Sequence, residues 1–163
     1  MDRTEIRRAH QMTAALAALG AVLLVSAPAL ADIDSYTVGV NGMACPFCAY
    51  GIEKKLKGLE GVASLDIHIE KGTVDVSVQE GKTVTPKAIR EAVQEAGFEL
   101  RDLEIRGEAT ITDADPPEAR FTADLSLPVR GDHPDAGERT VHGTVSKKGE
   151  SWTLSIATTG GGE

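Results

Sequence analysis

Hydrophobic positions along the chain follow two rhythms, and each rhythm predicts an element. Tyr36, Val38 and Val40 alternate with polar or small residues, the period of two of a half-buried strand. From Phe47 to Leu59 the spacing changes. Cys48, Ile52, Leu56 and Leu59 recur at steps of four, four and three, which is one face of a helix, and Gly58 and Gly61 bracket its end. Ala63, Leu65, Ile67 and Ile69 then alternate with Ser64, Asp66 and His68. Lys71-Gly72 marks a tight turn, and Val74, Val76 and Val78 form the hairpin partner. A second helix is announced by Thr85 as N-cap and Pro86 at its first position, where a missing N–H costs nothing. Ile89, Ala92, Val93 and Ala96 are its apolar stripe, Gly97 its end, and Phe98 and Leu100 open another strand.

Two helices with apolar stripes can both be covered only by a shared sheet. The order strand, helix, strand, strand, helix, strand therefore predicts an α+β domain over residues 32–103, a ferredoxin-like βαββαβ open-faced sandwich. Leu103 and Ile105 then take the opposite parity, which requires a bulge or a change of packing partner. Four further alternating runs follow, around Ile105–Ile111, Phe121–Leu127, Val141–Val145 and Trp152–Ile156. Asp115-Pro116-Pro117, Arg130-Gly131-Asp132 and Lys148-Gly149 separate them as turns. They predict a small antiparallel β region over 104–159, either a domain or an extension leaning on the first, with Trp152 anchoring its core. Residues 160–163 are expected to be a disordered tail.

The first 31 of the 163 residues read differently. Arg3, Arg7 and Arg8 precede an apolar run from Met12 to Val25, and Ala29-Leu30-Ala31 is a small-residue cleavage site, so residues 1–31 are expected to be a signal peptide cut after Ala31. The rival reading is an uncleaved anchor over Met12–Ala31. Either way the globular part faces outside the cytoplasm, and the periplasm is the expected location. The remaining 132 residues carry 14 basic and 23 acidic side chains, a net charge of −9 against −8 for the whole chain. Such a surface repels phosphate backbones, which argues against a nucleic-acid partner. No other apolar run approaches a bilayer's thickness, so the mature chain is expected not to span a membrane. No serine triad, phosphate loop or carboxylate cleft stands out, and the protein is not expected to be an enzyme.

One constellation carries chemistry. In Gly42-Met43-Ala44-Cys45-Pro46-Phe47-Cys48, the only two cysteines of the chain fall where the first strand enters the first helix. Cys45 lies in the loop and Cys48 in the first helical turn, so both sulfurs can converge, and a helix amino end favours the thiolates that bind metal. Two thiolates without hard oxygen ligands suit a soft ion. A closed zinc site wants four protein ligands, so the pair is an open, exchangeable site. Two alternatives stand beside it. Cys45 and Cys48 can form an inert local disulfide, or Cys-Pro-Phe-Cys can act as a thiol–disulfide oxidoreductase.

With those residues in place, 35–103 resembles the heavy-metal-associated domain family, shared by copper chaperones, metal-pumping ATPase modules and the periplasmic mercury-binding protein. The resemblance rests on the Gly-Met-x-Cys-x-x-Cys pattern at 42–48, Ile52-Glu53-Lys54, Gly61-Val62, Glu70-Lys71-Gly72-Thr73-Val74 and Glu95-Ala96-Gly97-Phe98. It implies that Cys45 and Cys48 hold one Cu(I) or Hg(II) ion, with Zn(II) or Cd(II) less favoured. It further implies that Met43 is a buried support of the loop and that Phe98 faces the site. The expected function is an exported metallochaperone that passes its ion by thiolate exchange to a membrane metal transporter or another thiol-bearing acceptor. Pro46-Phe47 between the cysteines is not the family's commonest pair, and residues from 104 onward have no counterpart in single-domain members. Lys54, Lys55 and Lys57 form a solvated helix face or a docking patch for an acidic partner. His68 is expected to be wet, and His133 and His142 with Asp132 and Asp135 are a remoter second metal site.

Overall fold

The computed structural model of the protein describes residues 32–157, so the expected signal peptide and tail lie outside the described residues. The elements are β1 (Ile33–Asn41), α1 (Pro46–Lys57), β2 (Val62–His68), β3 (Thr73–Val78), α2 (Pro86–Glu95), β4 (Glu99–Thr112), β5 (Glu118–Thr122), β6 (Leu125–Arg130), β7 (Gly137–Lys148) and β8 (Ser151–Ile156). The first six follow the predicted βαββαβ order. Their strands lie side by side as β2-β3-β1-β4, with every pairing antiparallel. Tyr36 stands opposite Val76 and Ile105, and Val38 opposite Val74 and Leu103, so one face of the sheet is continuously apolar. Ala49, Ile52 and Leu56 of α1 and Ile89, Ala92 and Val93 of α2 share a core with that face. The other face is polar. There Thr37 Oγ1 donates to Asp75 Oδ1 at 2.7 Å, and His68 Nε2 lies 3.1 Å from Asp75 Oδ2.

The parity slip has a bulge as its cause. Gly39 pairs with Asp102 but Val40 pairs with Leu100, which leaves Arg101 as an extra residue in β4. Past the bulge, β4 continues unbroken to Thr112, through the 103/104 division expected between two regions. Its far half is shared. β7 pairs along the edge opposite β1, while β5 continues along β1's edge. Pairings β4–β5, β5–β6, β6–β8, β8–β7 and β7–β4 close a five-stranded ring. The expectation of an all-antiparallel region is corrected at one pair, since β6 and β8 run parallel. The reason is counting. Strand direction cannot alternate all the way around a closed ring with an odd number of members.

Inside the ring lie Ile111, Phe121, Leu127, Val141 and Leu154, all buried and continuous with the core under the helices. Trp152, expected as the anchor, is only partly buried against this core, and the wholly buried Phe121 is its largest side chain. Backbones come close at two glycines, Gly107 where β4 meets the start of β1 and Gly143 where β7 meets β8. A Cβ on Gly107 would sit 2.3 Å from the Asp32 carbonyl oxygen, and one on Gly143 would sit 2.5 Å from that of Ser155. Side chains also tie the halves together, with Thr83 Oγ1 2.9 Å from Thr122 Oγ1. Among the described residues, no helix is long and apolar enough to cross a membrane.

Candidate metal site

The end of β1 delivers the chain into the cysteine loop. Gly42 takes φ +82°, a left-handed turn that other residues resist, and Ala44 N donates to Gly42 O at 2.9 Å. This turn directs Met43 inward, where it is 3% exposed, and leaves Ala44 outside. Cys45 is the N-cap of α1 with extended dihedrals, and its Sγ accepts from Cys48 N at 3.2 Å. Pro46 occupies the first helical turn, as its fixed φ and missing donor favour. Cys48 follows one turn from the cap, and the two cysteines are joined as a disulfide with Cα atoms 5.2 Å apart. Both are partly exposed.

The opposite wall comes from the end of α2. Its cap is as the sequence predicts, with Thr85 Oγ1 accepting from Ala88 N at 3.2 Å. Gly97 at φ +89° then turns the chain, and Phe98 N reaches back to Val93 O at 3.1 Å, a Schellman closure. That turn sets Phe98, partly buried, against the cysteine loop. A Cβ placed on Gly42 would lie 3.9 Å from Phe98 Cδ1. Both residues that the resemblance placed around the loop, Met43 and Phe98, are therefore beside it.

The remaining candidates are dispersed. His142 Nε2 lies 3.3 Å from Glu104 Oε2, and His133 Nδ1 lies 3.1 Å from the Pro134 carbonyl. Among the described residues, no group of three or more His, Cys, Asp or Glu side chains is placed to hold a metal ion. Lys55 pairs with Glu95 at 2.9 Å and Lys57 with Glu53, whereas Lys54 makes no ion pair among the described residues. Sequence reasoning passed over Phe47 and Tyr50. They are 89% and 67% exposed, the large hydrophobic side chains most open to water among the described residues. Their signal was present, since positions 47 and 50 fall opposite the Ile52–Leu56 stripe on a helix.

The profile of the heavy-metal-associated domain matches residues 37–99. The copper chaperone CopZ of Staphylococcus saprophyticus is 31% identical over 65 residues, 40% of this chain and 94% of the relative. CopZ of Bacillus subtilis is 32% identical over 68 residues, 42% of this chain and 97% of the relative. Among solved structures, oxidised MerP from Ralstonia metallidurans CH34 is 26% identical with a TM-score of 0.38, over 42% of this chain and 93% of its own. The chain belongs to the heavy-metal-associated domain family.

Proposed function

We propose that this protein is a non-enzymatic carrier of one soft metal ion, held between Cys45 and Cys48 in their reduced form and handed on by ligand exchange. The observation that carries the reading is the placement of the chain's only two sulfhydryl residues. They sit side by side, partly exposed, on the amino end of α1, beneath a loop fixed by Met43 and Gly42. Relatives matched over nearly their whole length are copper chaperones, which favours Cu(I) as cargo, with Hg(II) next. Two thiolates satisfy a soft ion and leave one side open. An acceptor's thiolate can add there before either original bond breaks, so holding is tight and transfer fast. The acceptor is a membrane metal transporter or another thiol protein, and the periplasm is the setting. In the disulfide form the pair cannot bind. An external dithiol must first supply two electrons and two protons, breaking the S–S bond and becoming a disulfide itself.

The reduced protein, kept without oxygen, is titrated with Cu(I), Hg(II) and Zn(II) in competition with chelators while unreacted thiols are counted. One ion should remove both thiols, with Cu(I) or Hg(II) far ahead of Zn(II). Cys45→Ser and Cys48→Ser should each abolish tight binding and leave the fold intact. A serine at 45 still caps α1, and neither sulfur belongs to the core. Retained affinity in the double variant sinks the site assignment. The second reading, a thiol–disulfide oxidoreductase using Cys45-Pro46-Phe47-Cys48, rests on the disulfide itself. It takes over if no ion competes with the chelators and the pair instead cycles with a disulfide substrate.

A further inference from the structure

α1 presents to solvent an unpartnered face of unusual make-up. Phe47, Tyr50, Lys54 and Lys57 fall within an arc of about 80° at 100° per residue and span about 15 Å of helix. This arc points away from Ala49, Ile52 and Leu56, which hold the helix to the sheet. The two aromatics occupy the end at the cysteine loop, and the lysines follow over the next two turns. A shallow groove lined by Tyr50, Glu53, Lys54, Lys57 and Gly58 runs between them. α1 carries Lys54, Lys55 and Lys57 against one carboxylate of its own, Glu53, which pairs with Lys57, while Lys55 reaches across to Glu95 of α2, in a chain whose net charge is −8.

We infer that this face docks the cysteine-loop end of the protein on an anionic lipid bilayer, Phe47 and Tyr50 entering the headgroup layer and Lys54 and Lys57 meeting phosphates. The division of labour is that of interfacial helices, in which an apolar body with a polar tip sits at headgroup depth and ammonium groups face the anionic surface. All four side chains project from one line along one helix, so a plane touches them together. An acidic protein site would instead need a hollow to receive Phe47. Glu91 and Glu95 of α2, beside α1, are paired with Lys87 and Lys55. The acidic residues Asp66, Asp75, Asp102 and Glu104 do not oppose this contact. They belong to the polar face of the sheet, on the far side from α1. The helix alone is about 10 Å thick, more than the roughly 8 Å over which charges act at physiological salt. The inference is separate from the metal reading, since no ion takes part in it.

The test uses the full chain with an amine-acylating reagent, the rate of modification being read at each lysine by mass spectrometry. Vesicles of phosphatidylglycerol mixed into phosphatidylcholine should slow the reaction of Lys54 and Lys57 about five-fold or more and leave Lys87 and Lys147 unchanged. Vesicles of phosphatidylcholine alone should not. This readout is local, so it does not depend on how the amino-terminal segment is held. In a Phe47→Ala/Tyr50→Ala variant the protection should vanish, while unaltered rates at Lys87 and Lys147 report an intact fold. Equal rates at Lys54 and Lys57 with and without anionic vesicles overturn the proposal, and so does protection that survives the double substitution.

Discussion

Tyr36 condenses much of the molecule's physics into one side chain. It is 1% exposed in the middle of β1, yet its hydroxyl donates to the Val84 carbonyl at 2.6 Å, pinning the segment before α2 to the sheet. Burial weakens it as an acid, pushing its pKa well above the ordinary value near 10. Below that value both folded and unfolded chains keep the proton, and the bond contributes in full. Above it the unfolded chain releases a proton that the folded chain holds, so this residue makes stability fall by up to about 1.4 kcal/mol per pH unit. Tyr36→Phe should therefore cost about 1–2 kcal/mol at pH 8, because a buried carbonyl loses its partner. It should also flatten the alkaline decline relative to the parent, and urea denaturation of both chains at pH 8, 10 and 11 checks both effects. The sequence marked Tyr36 as apolar and inward but gave no sign of its partner. Val84 lies 48 residues away, and nothing in local alternation reports a contact of that range.

Elements were legible in proportion to how local their causes are. The Thr85 cap, the glycine ends of both helices and the stripe Ile89–Ala92–Val93 all arise from neighbouring residues and are where the spacing placed them. Of the two causes open for the parity slip at Leu103, the bulge is the one present. The ring formed by β4 through β8 was not legible. Alternation says which way a side chain faces and nothing about which strand lies alongside. Trp152 misled for the same reason, as size and parity suggested a core anchor while the pairing of β7 with β8 put it at the margin. Gly107 and Gly143 give alternation nothing to register, yet each is a point where two backbones come close. Gly107→Val and Gly143→Val each place carbon within 3 Å of a neighbouring strand's backbone. Each should lower stability by about 2–3 kcal/mol, the cost of overpacking, with a fall in urea midpoint as the measurement. Gly51, where a Cβ would meet nothing within 4 Å and the backbone is not left-handed, carries no such packing penalty and serves as the comparison for steric cost.

For the whole molecule the deciding feature is that β4 belongs to both the sandwich and the ring. Its 14 residues pair with β1 over the first half and with β5 and β7 over the second, and buried side chains run without a break from Ile52 to Phe121 and Leu154. Two parts sharing a strand and a core should melt together. Trp152 fluorescence, which reports the ring, and helical circular dichroism, which reports α1 and α2, should give coincident urea transitions. Two separated transitions would mean that the ring is an independent body. The same architecture sets an order in time. A polypeptide is made amino end first, so β1 is synthesised before either strand that flanks it, and β4 lacks its second flank until residues 137–148 exist. Cys45 and Cys48, three residues apart, need no such wait. The two thiols are within reach of each other, of an oxidant and of an ion well before the sheet that will hold their loop. Which of these claims the pair is therefore contested first on an unfolded chain.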